Sequence, residues 1–402
     1  MAKAALASGA ETGFACDAST GTDCHDQTAA PDILKFHVWA PSFTEFGGGI
    51  GVFSQELALG LTDLGHEVDL VGKTDATGSW NGLAISGAGS FRGRMRTVVF
   101  GATALRQVAR RKPDHVISTH VNFGPVAHVA KRTLGTGFTV VAHGIDVHSG
   151  LPRATLAALR AANRIVVVSE WTRQRVLSLQ GIDGSRIVRL PNTLDESRFT
   201  TGLKSSALRE RYRLEPDDKV ILTVARLDGA ERYKGYDRIV SALPALRNRF
   251  GKVRFLIVGM GSDRSRIEAV AQTHGVVDAI TFAGFVGDSE LADHYRLADV
   301  FAMPSAGEGF GIVFLESMAC GTPVLAGNKD GSVDALDNGR LGKLVDPEDV
   351  NAIANGIADL LDRRGPDMWF DPEALHAAVV STYGRAAFRK RLNEVFAAMP
   401  IP

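Results

Sequence analysis

Three observations predict an α/β protein built from two doubly wound parallel sheets that face a cleft. Short runs rich in Val and Ile alternate with stretches of helical period, the runs are apolar on both faces, and the whole series occurs twice. Strands buried on both faces and joined by helices make parallel sheets. A chain of 402 residues exceeds what one compact core accommodates, so each series is read as a Rossmann-like domain of its own.

In the first series, strands are predicted at 33–40, 67–72, 115–120, 138–143 and 164–169, with a helix over 51–65 behind the first. The second places strands at 220–227, 253–259, 279–285, 299–304 and 323–327, with helices over 235–250, 262–274 and 347–363. The boundary falls in the stretch 189–202. The chain thus divides into a tail (1–34), a first domain (35–195), a second domain (196–375) and a terminal segment (376–402), the end of a helical stretch over about 372–397 that packs back across both. Open parallel sheets bind ligands beyond the carboxyl ends of their strands. The useful residues are therefore expected just after strands.

Composition narrows the function classes. Lys and Arg number 45 and Asp and Glu 45, and no run approaches the roughly 18 apolar residues that span a bilayer. Residues 1–34 are rich in Ala, Thr, Gly, Ser and Asp and lack a basic start followed by an apolar core, so they read as a disordered tail and not as a signal peptide. Cys16 and Cys24 lie in that tail and Cys320 far from it, a sparse, odd count that argues for a reducing, cytoplasmic setting. Cys24 with His25 is too little for a metal site. Within 35–185 basic residues outnumber acidic ones, the excess gathering at Arg92, Arg94, Arg96, Arg106, Arg110, Arg111 and Lys112. The stretch 92–112 is either a solvated face or a peripheral docking surface for anionic lipid at the inner face of the membrane. Aromatic residues are not interleaved with the charge, so no nucleic acid is expected.

Chemistry gathers at four places. "FGGGIG" (46–51) follows the first strand and opens the first helix, where glycines let a ligand approach the backbone and a helix start offers free N–H groups to an anion. It fails the dinucleotide fingerprint, since Ser54 stands at the third glycine position counted from Gly49 and "VGKT" ends the second strand without a carboxylate for ribose. "VARLDGAERYKGYD" (224–237) carries Arg226 at a strand end and Lys234 before the next helix, two cations suited to a diphosphate. "VGMGSD" (258–263) repeats the strand-glycine-helix theme and is open to a base or phosphate. In "PSAGEGFGIVFLESMACGTPV" (304–324), Glu308 lies between glycines and Glu316 inside a helix expected to start near Phe310 and to be apolar nearly all round. A bare carboxylate there costs several kcal/mol or takes up a proton, so Glu316 demands a fixed polar partner. A rise of roughly 1.5 Å per residue puts about 12 Å between the glutamates, too far to share a proton. They read as two grips on one elongated ligand, with the amides of residues 309–312 between them.

Glu308 and Glu316 form an E-x7-E pattern. With "ARLDGAERYKG", "GGGIG" and "PNTLD", it resembles the retaining glycosyltransferases of family 4, over roughly residues 35–395. That resemblance implies the GT-B fold and a nucleotide-sugar donor, GDP- or UDP-hexose. It assigns donor-sugar hydroxyls to Glu308, ribose to Glu316, the diphosphate to Arg226 and Lys234, and backbone approach to Gly48 and Gly49; the amides between the glutamates add Gly309, Phe310 and Gly311 to the donor site. His143, in "VVAHGIDVHS", takes the place of the family's histidine near the reacting sugar, with Asp146 and His148 beside it. Catalysis is thereby assigned to His143, Glu308, Arg226 and Lys234. The Arg226–Lys234 interval is longer than in many relatives, and Thr193 replaces a frequent Gly in "PNTLD". "ERYKG" with "GNKDGSVDAL" is similar to bacterial polysaccharide enzymes, mannosyltransferases among them, which favours GDP-mannose over UDP-glucose. Neither cofactor nor metal is expected: no Asp-x-Asp stands at an obvious strand end. The acceptor, a glycan or a polyprenyl-linked sugar of polysaccharide or lipopolysaccharide assembly, is expected to enter through loops 41–50 and 74–96. A nicotinamide oxidoreductase would need the missing fingerprint and ribose acid, and a non-catalytic nucleotide-sugar binding protein has no need of both glutamates and both cations. A glycan phosphorylase would need a lysine for pyridoxal phosphate, for which there is no convincing candidate.

Overall fold

The computed structural model describes residues 33–44, 48–147 and 150–397. The expected tail up to residue 32, with Cys16, Cys24 and His25, lies outside them, as do Phe46, Gly47 and the candidate His148. Eight strands form the first sheet: β1 (Lys35–Ala40), β2 (Glu67–Gly72), β3 (Gly78–Trp80), β4 (Leu83–Gly87), β5 (His115–Ser118), β6 (Gly137–Ala142), β7 (Arg164–Val167) and β8 (Ile187–Arg189). Their order is β3-β4-β2-β1-β5-β6-β7-β8, parallel except for the β3–β4 pair. The central strands are buried along their length, Phe36 and Val38 in β1 and Val140 and Val141 in β6, which is why they read as unbroken apolar runs.

The hairpin corrects one expectation. Within 74–96, expected as loops, β3 and β4 pair through Asn81 and Gly82, at φ 47° and 79°. Two positive φ values at an Asn-Gly turn give the twist that a two-residue hairpin requires. Six strands form the second sheet: β9 (Lys219–Val224), β10 (Val253–Val258), β11 (Ile280–Gly284), β12 (Val300–Met303), β13 (Val324–Gly327) and β14 (Lys343–Val345). The order is β11-β10-β9-β12-β13-β14, all parallel, with Leu222 between Leu256 and Phe301. Strand order reverses between β1 and β5 and between β9 and β12, and the crevice of such a sheet opens at the carboxyl ends there.

The terminal helical stretch is not continuous. Helices Pro372–Tyr383 and Arg385–Ala397 are separated by Gly384, which is extended at φ −65° and ψ 168°. The first stays with the second sheet: His376 Nδ1 lies 2.6 Å from the Ala319 carbonyl oxygen. The second helix lies on the first domain, where Phe388 meets Phe53 edge-on at 6.0 Å and Phe396 meets Phe36 at 5.3 Å. At the crossover Arg385 donates to both oxygens of the buried Glu56, at 2.8 and 2.6 Å, and its Nη1 lies 3.0 Å from Asp195.

Candidate functional site

The chain leaves β9 at Val224 and makes a tight turn over Gly229–Lys234, capped by Asp228, whose Oδ1 accepts the Ala230 N–H at 2.9 Å. The turn brings Glu231 under both expected cations. Glu231 is ion-paired to Arg226, and its Oε2 lies 3.3 Å from Lys234 Nζ. Lys234 Nζ is in turn 3.6 Å from Glu308 Oε2. The Lys234 side chain is 14% exposed and that of Arg226 73%, so one cation is set into the wall and the other reaches out. The next residue, Gly235, has φ 75°, and a Cβ there would stand 2.3 Å from the Pro304 carbonyl oxygen at the end of β12. That close approach joins Lys234 to Glu308. Glu231 escaped the sequence reading; its only signal was the three-residue spacing to Lys234.

Glu308 is held from behind, its N–H donating to Asp330 Oδ2 at 2.7 Å. Beyond it the backbone runs against the first domain. A Cβ on Gly309 would fall 1.7 Å from the His143 carbonyl oxygen, and the Gly309 carbonyl accepts a 2.7 Å hydrogen bond from Ser169 Oγ. The apolar helix starts at Ile312, two residues later than expected, because Gly311 takes φ 89° with the Phe314 ring against it. Phe310 is 1% exposed and packs edge-on to Tyr383 at 5.6 Å, so of this residue only the backbone is available to a ligand. The amides of residues 309–312 make no hydrogen bond to another described residue.

Glu316 has the partner its position demands: Tyr295 O–H donates to its Oε2 at 2.7 Å. Burial pushes the Glu316 carboxyl up to about 7, against the lowering effect of the Tyr295 hydrogen bond. Its remaining face lines a cavity of about 170 Å3 that both domains enclose, with Ile312, Arg198, Trp80 and Arg385 among its walls.

From the first domain, Gly48 and Gly49 open the helix Gly48–Asp63, three residues earlier than expected. A Cβ on Gly49 would lie 3.6 Å from Ile312 Cδ1, so this helix start faces the start of the Glu316 helix. The loop before it hangs on Asp75, whose carboxylate accepts from Ser42 Oγ at 2.7 Å, the N–H of Phe43 and Thr44 at 2.9 and 3.0 Å, and Thr44 Oγ1 at 2.6 Å. Asp75 lies just past β2, and its carboxylate is committed to that loop. His143 is turned inward: its Nε2 donates to the Thr119 carbonyl at 2.9 Å, and its ring stands edge-on to Phe53 at 5.2 Å. Burial lowers its pKa, which keeps the imidazole neutral. What His143 presents toward Gly309 is its carbonyl. Asp146 accepts the His143 N–H at 2.8 Å and lies 4.0 Å from His120 Nδ1.

The glycines of "VGMGSD" serve the protein itself. Cβ atoms on Gly259 and Gly261 would fall 1.8 and 2.0 Å from the carbonyl oxygens of Ala225 and Leu227, so both let the Arg226 loop lie flat on its neighbour. Among the described residues no three His, Cys, Asp or Glu side chains gather as a metal site.

Known proteins are similar to this chain in sequence and in fold. The family model for glycosyl transferases group 1 matches residues 204–374, and that for Glycosyltransferase Family 4 matches residues 47–198. The GDP-mannose-dependent alpha-(1-6)-phosphatidylinositol monomannoside mannosyltransferase of Mycobacterium tuberculosis is 36% identical over 279 residues, 65% of this chain and 71% of that enzyme. A D-inositol 3-phosphate glycosyltransferase of Mycolicibacterium smegmatis is 30% identical over 391 residues, 87% of each chain. Sucrose-phosphate synthase of Thermosynechococcus elongatus has the same fold, with a TM-score of 0.73 at 21% identity over 90% of this chain and 98% of that one. So does Anabaena HepE, solved with UDP and glucose, with a TM-score of 0.74 at 17% identity over 91% and 100%.

Proposed function

Because the chain belongs to glycosyltransferase family 4 and has the GT-B fold, we propose that it is a retaining mannosyltransferase that moves mannose from GDP-mannose to a glycan or lipid-linked sugar. That it is a hexosyltransferase follows from the family; the donor is read from the Mycobacterium tuberculosis relative. The observation that carries the site is the seat of Lys234 between Glu231 and Glu308.

Departure of the diphosphate leaves an oxocarbenium-like sugar, and negative charge grows on the leaving group. Lys234 in the wall, the outward-reaching Arg226 and the start of the helix Ile312–Ala319 take up that charge as it develops, an effective use of such groups. In this reading the diphosphate displaces Glu231 as the counter-charge of both cations, and no metal is needed. Glu308 takes sugar hydroxyls, Glu316 the ribose, and Gly48 and Gly49 close on the diphosphate from the opposite wall. His143, with its imidazole locked inward and its carbonyl against Gly309, borders the place given to the sugar. The acceptor enters from the first domain, in polysaccharide or lipopolysaccharide assembly. No described helix is long and apolar enough to cross a membrane; contact with an anionic membrane is proposed through the stretch 92–112.

The test is the melting temperature of the full chain with GDP, UDP, ADP and NAD in turn. A ligand that binds the native state raises it, and GDP is expected to raise it most. A rise with UDP in place of GDP would move the donor to a UDP-hexose, and a rise with NAD alone would remove the reading.

A further inference from the structure

Residues 227–233 separate Arg226 from Lys234, and they fold so that one carboxylate, Glu231, reaches both cations. The backbone that carries it is pinned on three sides. Asp228 caps the turn through the Ala230 N–H, Arg232 Nε donates to Asp263 Oδ1 at 3.1 Å, and the Tyr233 carbonyl accepts the Ala306 N–H at 2.8 Å. The Glu231 side chain has no comparable fixture. It is 12% exposed, with Oε1 ion-paired to Arg226 and Oε2 3.3 Å from Lys234 Nζ. Among the described residues Oε2 makes no hydrogen bond. A carboxylate so placed is costly to bury, and the two cations are what offsets the cost.

Formal charge gives this pairing a consequence. Arg226 and Lys234 are balanced by Glu231 and Glu308, so the seat is already neutral. A diphosphate takes the cations only in competition with Glu231. The pinned backbone then keeps the displaced carboxylate close to the bound phosphates. The diphosphate of a nucleotide sugar is substituted at both ends and carries about two negative charges. The nucleoside diphosphate left after transfer ends in a free phosphate, which adds nearly one more at neutral pH. We infer that Glu231 discriminates product from donor: it competes with both for Arg226 and Lys234, and it repels the nucleoside diphosphate more strongly because of the added charge. The inference rests on the nucleotide-sugar reading proposed above and gives that site its release step. The cations serve the leaving group while its charge grows, and Glu231 takes them back once the sugar has been transferred.

The experiment is calorimetric titration of the full chain, as wild type, Glu231→Gln and Glu231→Asp, with GDP, GDP-mannose, UDP and UDP-glucose. Glu231→Gln keeps the shape of the side chain and removes its charge. It is expected to bind the nucleoside diphosphate at least tenfold more tightly than wild type does. The matching nucleotide sugar is expected to gain less, by about fivefold for the one charge of difference. Glu231→Asp, with a shorter arm and the charge retained, is expected to gain in the same direction by a smaller factor, and it carries the test should Glu231→Gln misfold. Unchanged or weaker binding of the nucleoside diphosphate in these variants would make Glu231 a mere support for the cations and overturn the inference, while wild-type binding leaves the donor reading standing. Equal gains for nucleoside diphosphate and nucleotide sugar would overturn the discrimination. A wild type that binds no nucleoside diphosphate would overturn the donor reading as well.

Discussion

A carboxylate in the most apolar helix of the chain is tolerable only with a partner, and Glu316 has one in Tyr295. The requirement could be read from the sequence; the partner could not, because Tyr295 sits on another helix and meets Glu316 only through the packing of the two. The same holds for Glu231, which becomes the shared counter-charge of Arg226 and Lys234 once the turn over Gly229–Lys234 forms. His143 stands at a strand end as expected, but the direction of its ring depends on the Thr119 carbonyl just past the neighbouring strand β5. Glu316 also makes a prediction about pH. Its carboxyl in the folded protein titrates at about 7 against an ordinary 4.5, so between these values the folded state holds a proton that the unfolded chain has released. This group therefore lowers stability as pH rises from 4.5 to about 7, and the cost remains above that. Glu316→Gln is expected to gain on wild type across that window, by on the order of 3 kcal/mol at most, in urea unfolding at pH 5 and pH 8. Identical pH dependence in the two proteins would assign the slope to other groups.

At the scale of elements, the long strands were legible because burial on both faces leaves an unbroken apolar signal. β3, β8 and β14 span three residues each, too few to show a period, and β4 was hidden by the expectation of a loop. The hairpin did carry a local signal, the Asn81-Gly82 pair. The late start of the Glu316 helix follows from Gly311, whose left-handed backbone delays the first helical residue to Ile312 and leaves the amides before it free to face a ligand. Gly309 is where the two walls meet. Gly309→Ala would set a Cβ 1.7 Å from the His143 carbonyl oxygen, so either the Glu308 loop or the opposite wall must shift. A displacement of about 1 Å near reacting groups costs on the order of a hundredfold in rate. We expect at least that loss of glycosyl transfer, with an unchanged circular dichroism spectrum. An active Gly309→Ala protein would show that the wall contact plays no part in assembling the site.

On the scale of the whole molecule, two sheets with reversed strand order at their centres each open a crevice, and the site uses both. The central strand from each, with the loop that follows it, supplies the parts: β1 leads to Gly48 and Gly49, and β9 to Arg226 and Lys234. That duplication was the most readable feature of the sequence, since it rests on period and burial. How the halves are tied was not readable. The Arg385–Glu56 pair, the Ser169–Gly309 hydrogen bond and the return of the last helix over Phe53 join residues more than a hundred positions apart. The most direct test of the proposed function is the transfer of labelled mannose from GDP-mannose to a lipid-linked sugar acceptor by wild type and by Lys234→Ala. The predicted result is transfer by wild type and a loss of on the order of a hundredfold or more in a folded variant. An undiminished rate in Lys234→Ala, or a wild type that transfers no hexose from either GDP-mannose or UDP-glucose, would contradict it.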